Sequence, residues 1–311
     1  MAQKHQTGIA CVIVALLILG IFNSIPHNYE NNNWLDDVKP DSQFVIKDVK
    51  TTNTYDVPNW RIGDKWIYDS LFDVSGVLTA AEVDGSVDTL YGTTENEITE
   101  IKEVNINGTD TLVYVVEATG SFTSGNNGAN LEGFSGRVDI DYEGEDLIRV
   151  SDLATINITF SLGIDFYAFN FLKQDVADLT LVTEYEPAGE GYDFPLSIGE
   201  AWNSSYTQSI FGSGTSDYFE ADSLNEETQN NNTFLAISEG IPTEDVDGYG
   251  SSDPISYSGC SNSIKIEEFN ETGDSTGYRW YCDTVRSYAW NHLEFGSVGM
   301  TIDWMLEEYI P

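Results

Sequence analysis

In "ATINITFSLGIDF", residues 154–166, Ile156, Ile158, Phe160, Leu162 and Ile164 alternate with polar or small residues. A period of two is that of a strand with one dry face and one wet face. The same rhythm recurs along most of the chain. "ENEITEIKEV" and "DTLVYVVEA" flank "NING", an Asn-Gly loop of the kind that joins two antiparallel strands. "GRVDIDYEGEDLIRVSDL" repeats the arrangement, with Gly144 expected at its turn. "SIKIEEF" and "GYRWYC" read as a further hairpin around the turn-rich "NETGDST". The pattern predicts an all-β, or β-rich α+β, chain.

A second signal is a phrase that occurs twice. "PNWRIGDKWIYD" sets Trp60, Gly63, Asp64, Trp66 and Tyr68 around a Gly-Asp turn, and "FPLSIGEAWNSSY" places Leu196, Gly199, Glu200 and Trp202 at the same spacing. Indoles and phenols bury large areas and pair across strands, so this clasp is expected to close the end of a curved sheet. The alternative is an exposed aromatic platform for sugars or lipids. Asp64 and Glu200 read as turn residues rather than catalysts. With "FYAFNFLKQDVADLTLVTEYEP" passing into the Pro- and Gly-bearing "AGEGYDFP", the repeat divides the body into residues 58–187 and 188–311, two tandem curved sheets.

Residues 8–22, "GIACVIVALLILGIF", form an uncharged run behind Lys4 and His5. Its length lies between a signal-peptide core and a bilayer-spanning helix. Residues 1–27 are therefore expected to be a signal or transmembrane anchor, with an uncleaved anchor favoured over a cleaved signal because no Ala-x-Ala-like site follows Phe22. Cys11 lies at the start of the apolar run, which disfavours lipidation. Lys4 before the run and the acidic stretch after it place the body outside. Residues 28–57, acidic and Asn-rich, read as a spacer.

Charge narrows the partners. The 311 residues carry 52 Asp and Glu against 13 Lys and Arg, a net charge of −39, so the surface repels phosphate backbones and nucleic acid is excluded as a partner. Hydrophobic residues still make up 41% of the chain, enough for a folded body beneath that coat. Outside the leader the cysteines are Cys260 and Cys282, which the hairpin brings to its open end, and an oxidising compartment would join them. Two free buried thiols are the alternative. Sequons at Asn107, Asn157, Asn203, Asn231 and Asn270 are candidate glycosylation sites on such a face.

The two clasps, with the closing "WYCDTVRSYAW" and "LEEY", resemble secreted or membrane-anchored prokaryotic, archaeal-type cell-envelope proteins whose domains are similar to the β half-barrels of lipoprotein carriers. The resemblance covers residues 58–311 as two copies. It implies an antiparallel sheet curled around an apolar concave face that receives acyl chains, and Phe166, Tyr167, Phe169 and Phe171 are the residues expected to line it. The second copy departs from the pattern, with Leu196, Glu200 and Ser204 where the first has Trp60, Asp64 and Tyr68.

Catalytic patterns are not found. His5, His27 and His292 lie in the leader, the spacer and the last strands, and no G-x-S-x-G elbow, P-loop, dinucleotide glycine cluster or paired zinc motif occurs. "TEDVDGYGSSD" offers Asp245, Asp247 and Gly248 to calcium, but Thr243 stands at the first ligand and Pro254 where a bidentate Glu belongs. The carboxylates of "VDIDYEGED" alternate along a strand and are expected to face water together. No catalytic, cofactor or metal residue is assigned. The sequence points to a non-enzymatic, membrane-anchored extracytoplasmic protein that binds an apolar ligand, a lipid or an envelope partner in a concave sheet. The alternative is a structural or adhesive surface protein, pilin-like and without a cavity.

Overall fold

The computed structural model describes residues 54–76, 85–131, 133–216, 225–242, 257–295 and 299–311. Fourteen strands form: β1 (Lys65–Asp73), β2 (Gly85–Val87), β3 (Leu90–Ile106), β4 (Thr109–Thr123), β5 (Ala129–Leu131), β6 (Phe134–Arg149), β7 (Thr155–Ala168), β8 (Leu172–Gly189), β9 (Ala201–Ser216), β10 (Asn225–Gly240), β11 (Ser263–Phe269), β12 (Ser275–Cys282), β13 (Ser287–Phe295) and β14 (Met300–Ile310). Twelve of them follow one another round a closed antiparallel barrel in the order β1-β3-β4-β6-β7-β8-β9-β10-β11-β12-β13-β14, and β14 pairs back onto β1. The short β2 and β5 lie outside the ring, added beside β6.

The expected two half-barrels behind a transmembrane helix are thus corrected to a single barrel. The expected boundary at residue 187 falls inside β8, which ends at Gly189; β1 to β8 supply six barrel strands and β9 to β14 the other six. Each six-stranded sheet alone would expose two unpaired edges. Here each half's edges pair with the other's: Trp66 with Tyr309 across β1 and β14, and Thr183 with Ile210 across β8 and β9.

The duplicated clasp has duplicated geometry. Gly63 (φ +94°) and Gly199 (φ +86°) both take the left-handed conformation that glycine tolerates best. Gly63 N–H donates to the Ile98 carbonyl at 2.8 Å and Gly199 N–H to that of Ala236 at 2.7 Å, and the N–H groups of Ile98 and Ala236 return bonds to Asp64 and Glu200. A bulge follows in each copy, between Ile98 and Glu100 and between Ala236 and Ser238.

Two other expectations change. Gly144 is not at a turn: it pairs with Ala118 and Phe160 within the continuous β6. The spacer does not run to residue 57, because Tyr55 forms a bridge with Leu196 and its hydroxyl donates to Glu239 at 2.9 Å. Residues 28–53 lie outside the described residues. So does the leader, residues 8–22, and among the described residues no helix is long and apolar enough to cross a membrane. The single-pass anchor, the membrane as partner through it, and the cell-membrane location have no support and are withdrawn.

Twelve strands enclose more space than the eight whose interior side chains just fill, which accounts for the aromatic content of the inner face. At the clasp end Trp60, Trp66, Tyr68, Ile98, Tyr114, Leu306 and the two cysteines pack together. Beside them Leu196, Trp202, Phe234, Ile264 and Ile266 form the second clasp's core. At the other end Phe72, Leu90, Phe122, Ile140, Phe160, Leu162, Leu181 and Ile302 make a separate apolar plug.

Candidate functional site

Between these plugs the inner wall is polar. Inward alternation along β9 and β10 delivers Ser204, Gln208, Asn230 and Asn232, all buried. Tyr206 joins them, with Asn232 Nδ2 3.5 Å from its hydroxyl. On β11 and β12 the inward Glu268 and Arg279 form an ion pair, Nη2 to Oε2 2.8 Å, and Asn232 Nδ2 donates to Glu268 Oε1 at 2.9 Å.

This belt opens into a cavity of about 320 Å³, at the lower end of the roughly 300–1,000 Å³ usual for ligand sites. One side is apolar, lined by Phe72, Phe122, Leu162, Leu293, Phe295 and Trp304; the other presents Asp146, Tyr142, Glu268, Arg279, Asn291 and Thr276. Several of its polar atoms are buried without a hydrogen-bond partner: Asp146 Oδ1, Asn291 Oδ1 and Thr276 Oγ1. Folded proteins pair the large majority of such atoms, because leaving one unmet costs about 1–3 kcal/mol. Burial, with Glu145 adding like charge, pushes the Asp146 carboxyl up to about 7. Burial likewise holds the Tyr142 and Tyr185 phenols well above their ordinary range.

Sequence reasoning missed these residues, though a signal was there. In "VDIDYEGED" the outward set is Asp139, Asp141, Glu143 and Glu145. Asp146 follows Glu145 directly, so it falls on the opposite face, opposite Ile158 and Val116. Glu268 after Glu267 is the same out-of-phase acid on β11.

The residues proposed for an apolar ligand face do not share one. Phe166 points inward into the apolar plug. Tyr167 faces out beneath Arg137, whose guanidinium carbon is 4.3 Å from the ring centroid. Phe169 and Phe171, 51% and 72% exposed, stand at the β7–β8 turn beside Phe134. The strand ends at Ala168, so the period of two lapses after the second aromatic.

The clasps are packed into the structure. Trp60 and Trp66 donate their indole N–H groups to the carbonyls of Arg286 and Val285, both at 2.7 Å, docking the first clasp on the β12–β13 turn of the other half. Asp64, fully buried, accepts from the Arg61 N–H (2.8 Å), Arg286 Nη1 (3.1 Å) and the Tyr309 hydroxyl (3.2 Å). Glu200 accepts from the Ser197 N–H and hydroxyl, each 3.1 Å. Trp202 stacks on Phe234 at 5.4 Å, but its indole N–H is buried unpaired.

Cys260 and Cys282 form a disulfide, S–S 2.07 Å, at the open end of the β11–β12 hairpin. Asn107, Asn157, Asn203, Asn231 and Asn270 lie in turns or on outward strand positions. The calcium candidates Asp245, Asp247 and Gly248 lie outside the described residues. Among the described residues no group of three or more His, Cys, Asp or Glu could hold a metal ion. His292 is on the outer wall, its Nδ1 2.8 Å from Asp303, which also accepts from Trp290 Nε1 at 2.8 Å.

No family model and no curated protein matches the chain. Among solved structures, a β-barrel-like protein of a domain of unknown function, DUF1849, from Brucella abortus aligns over 80% of this chain and 97% of its own. The identity is 7% and the TM-score 0.37, too low for an argument about this chain.

Proposed function

We propose that this barrel is a non-enzymatic binding protein that holds one small molecule inside its wall. The observation that carries the reading is the two-sided cavity: apolar rings on one side and unsatisfied buried polar atoms on the other. An apolar void alone would be a packing defect, whereas partnerless buried polar atoms on cavity-lining residues imply an occupant that supplies their partners. Binding rather than catalysis fits the placement of His292, the one histidine among the described residues, on the outer face. The structural or adhesive alternative calls for a filled interior.

The charge of β6 supports a wall that faces water. β6 alone displays Asp139, Asp141, Glu143 and Glu145 outward, the reverse of the apolar band of lipid-embedded barrels. The disulfide suits an oxidising compartment.

Native mass spectrometry of the protein purified without denaturation tests the reading. A single small-molecule adduct per chain should be seen, and Leu162→Trp, which fills the apolar side, should remove it while the far-ultraviolet spectrum stays β-type. Bare protein mass in the unsubstituted chain, together with no affinity for any amphiphilic probe, would reject it.

A further inference from the structure

The cavity is lined by more carboxylates than cations: Asp146, Glu268 and Glu294 against Arg279. Glu268 is fully engaged, with Arg279 on one oxygen and Asn232 on the other. Asp146 is not: its Oδ1 is sealed from solvent and accepts no bond, and the Asn291 amide oxygen in the same cavity is also unmet. Both atoms are acceptors, so an occupant that satisfies them must bring hydrogens. An anionic head group would bring none, would face Asp146, and would find the Arg279 guanidinium already taken by Glu268. The aromatic rings of Tyr142, Tyr185, Tyr206 and Tyr288, which line the same space, present faces that attract cations.

Resting on the binding reading above, we propose that the cavity selects a protonated amine carried on a short apolar body. The ammonium donates to Asp146 and Asn291, and the body lies among Phe72, Phe122, Leu162 and Phe295. This reverses the preference that a fatty-acid carrier would show.

Three probes with the same eight-carbon chain separate head from tail: octylamine, octan-1-ol and octanoate, titrated calorimetrically into the whole chain at pH 8. Octylamine should bind about tenfold more tightly than octan-1-ol, the margin of a charge-assisted over a neutral hydrogen bond, and octanoate more weakly than either. In Asp146→Asn the amine and the alcohol should bind alike.

A second readout needs no variant. The Asp146 carboxyl takes up its proton near pH 7, so the amine's advantage over the alcohol should shrink between pH 8 and pH 5.5. The ionisable groups around it are Glu145 and Tyr142 on its own strand, and Tyr185, Tyr206, Glu268, Arg279, Tyr288 and Glu294 elsewhere around the cavity, the last 3.2 Å from His292 Nε2. Burial raises the four phenols, and Glu268 is paired with Arg279.

Octanoate binding at least as tightly as octylamine, or an amine preference that persists in Asp146→Asn, would overturn the head-group assignment while octan-1-ol binding kept the cavity reading alive. Failure of all three probes to bind would bring down the cavity reading itself.

Discussion

Two acids separate what the clasps share from what they do not. Asp64 is buried with three donors on its carboxylate, one of them a guanidinium from the other half of the chain. Asp64→Ala should cost about 3 kcal/mol, as for a buried ion pair with one partner removed. The Glu200 carboxylate bonds only with Ser197 among the contacts described, and Glu200→Ala should cost about 1 kcal/mol, one ordinary hydrogen bond. Urea midpoints at constant m-value check both. Asp146 differs again, because its folded pKa of about 7 lies above the 3.8 of an unfolded chain. Between those values the folded protein keeps a proton that the unfolded chain releases, so this group's contribution to stability falls as pH rises and levels off above 7. Asp146→Asn should therefore be more stable than the parent at pH 8, by about 1.4 kcal/mol per unit of raised pKa, and close to it at pH 4. A parent that is the more stable of the two at pH 8 would show Asp146 to have an ionic partner.

At the level of strands and hairpins the sequence was most readable. The Asn-Gly loop expected between β3 and β4 is there, with Asn107 at φ 50° and Gly108 at 85°, and β11–β12 is the hairpin that brings Cys260 to Cys282. Replacing both cysteines by serine frees a closed loop spanning 22 residues and should cost about 3 kcal/mol through the entropy returned to the unfolded chain. Thermal unfolding of the double variant, compared with the oxidised parent, measures this; no change in the midpoint would mean that the strand pairing alone holds the hairpin. Alternation failed at two points for physical reasons. Glycine so often punctuates that Gly144 suggests a turn, yet here it faces inward between Tyr142 and Phe160, where an added Cβ would lie 2.8 Å from the Tyr142 hydroxyl. The aromatic run from Phe166 to Phe171 crosses from strand into turn, so its rings scatter between core, outer wall and rim.

At the scale of the whole molecule, strands were legible but their closure was not. Period-two patterning says which face of a strand is dry; it does not say that β1 will meet β14, more than two hundred residues away. Hence two sheets were expected where one ring forms. The repeated Gly63 and Gly199 corners were visible in the sequence, and they mark the start of each six-stranded half. The cavity was harder to see, because it is left by twelve strands curling together and is marked only by acids one residue out of phase. Amide hydrogen exchange along β1, β14, β8 and β9 tests the ring most directly. In a closed barrel the amides of β1 that point to β14, those of β8 that point to β9, and their partners should exchange as slowly as those between β3 and β4. Rapid exchange confined to the facing amides of those four strands would mean open edges, and two separate sheets in place of one barrel.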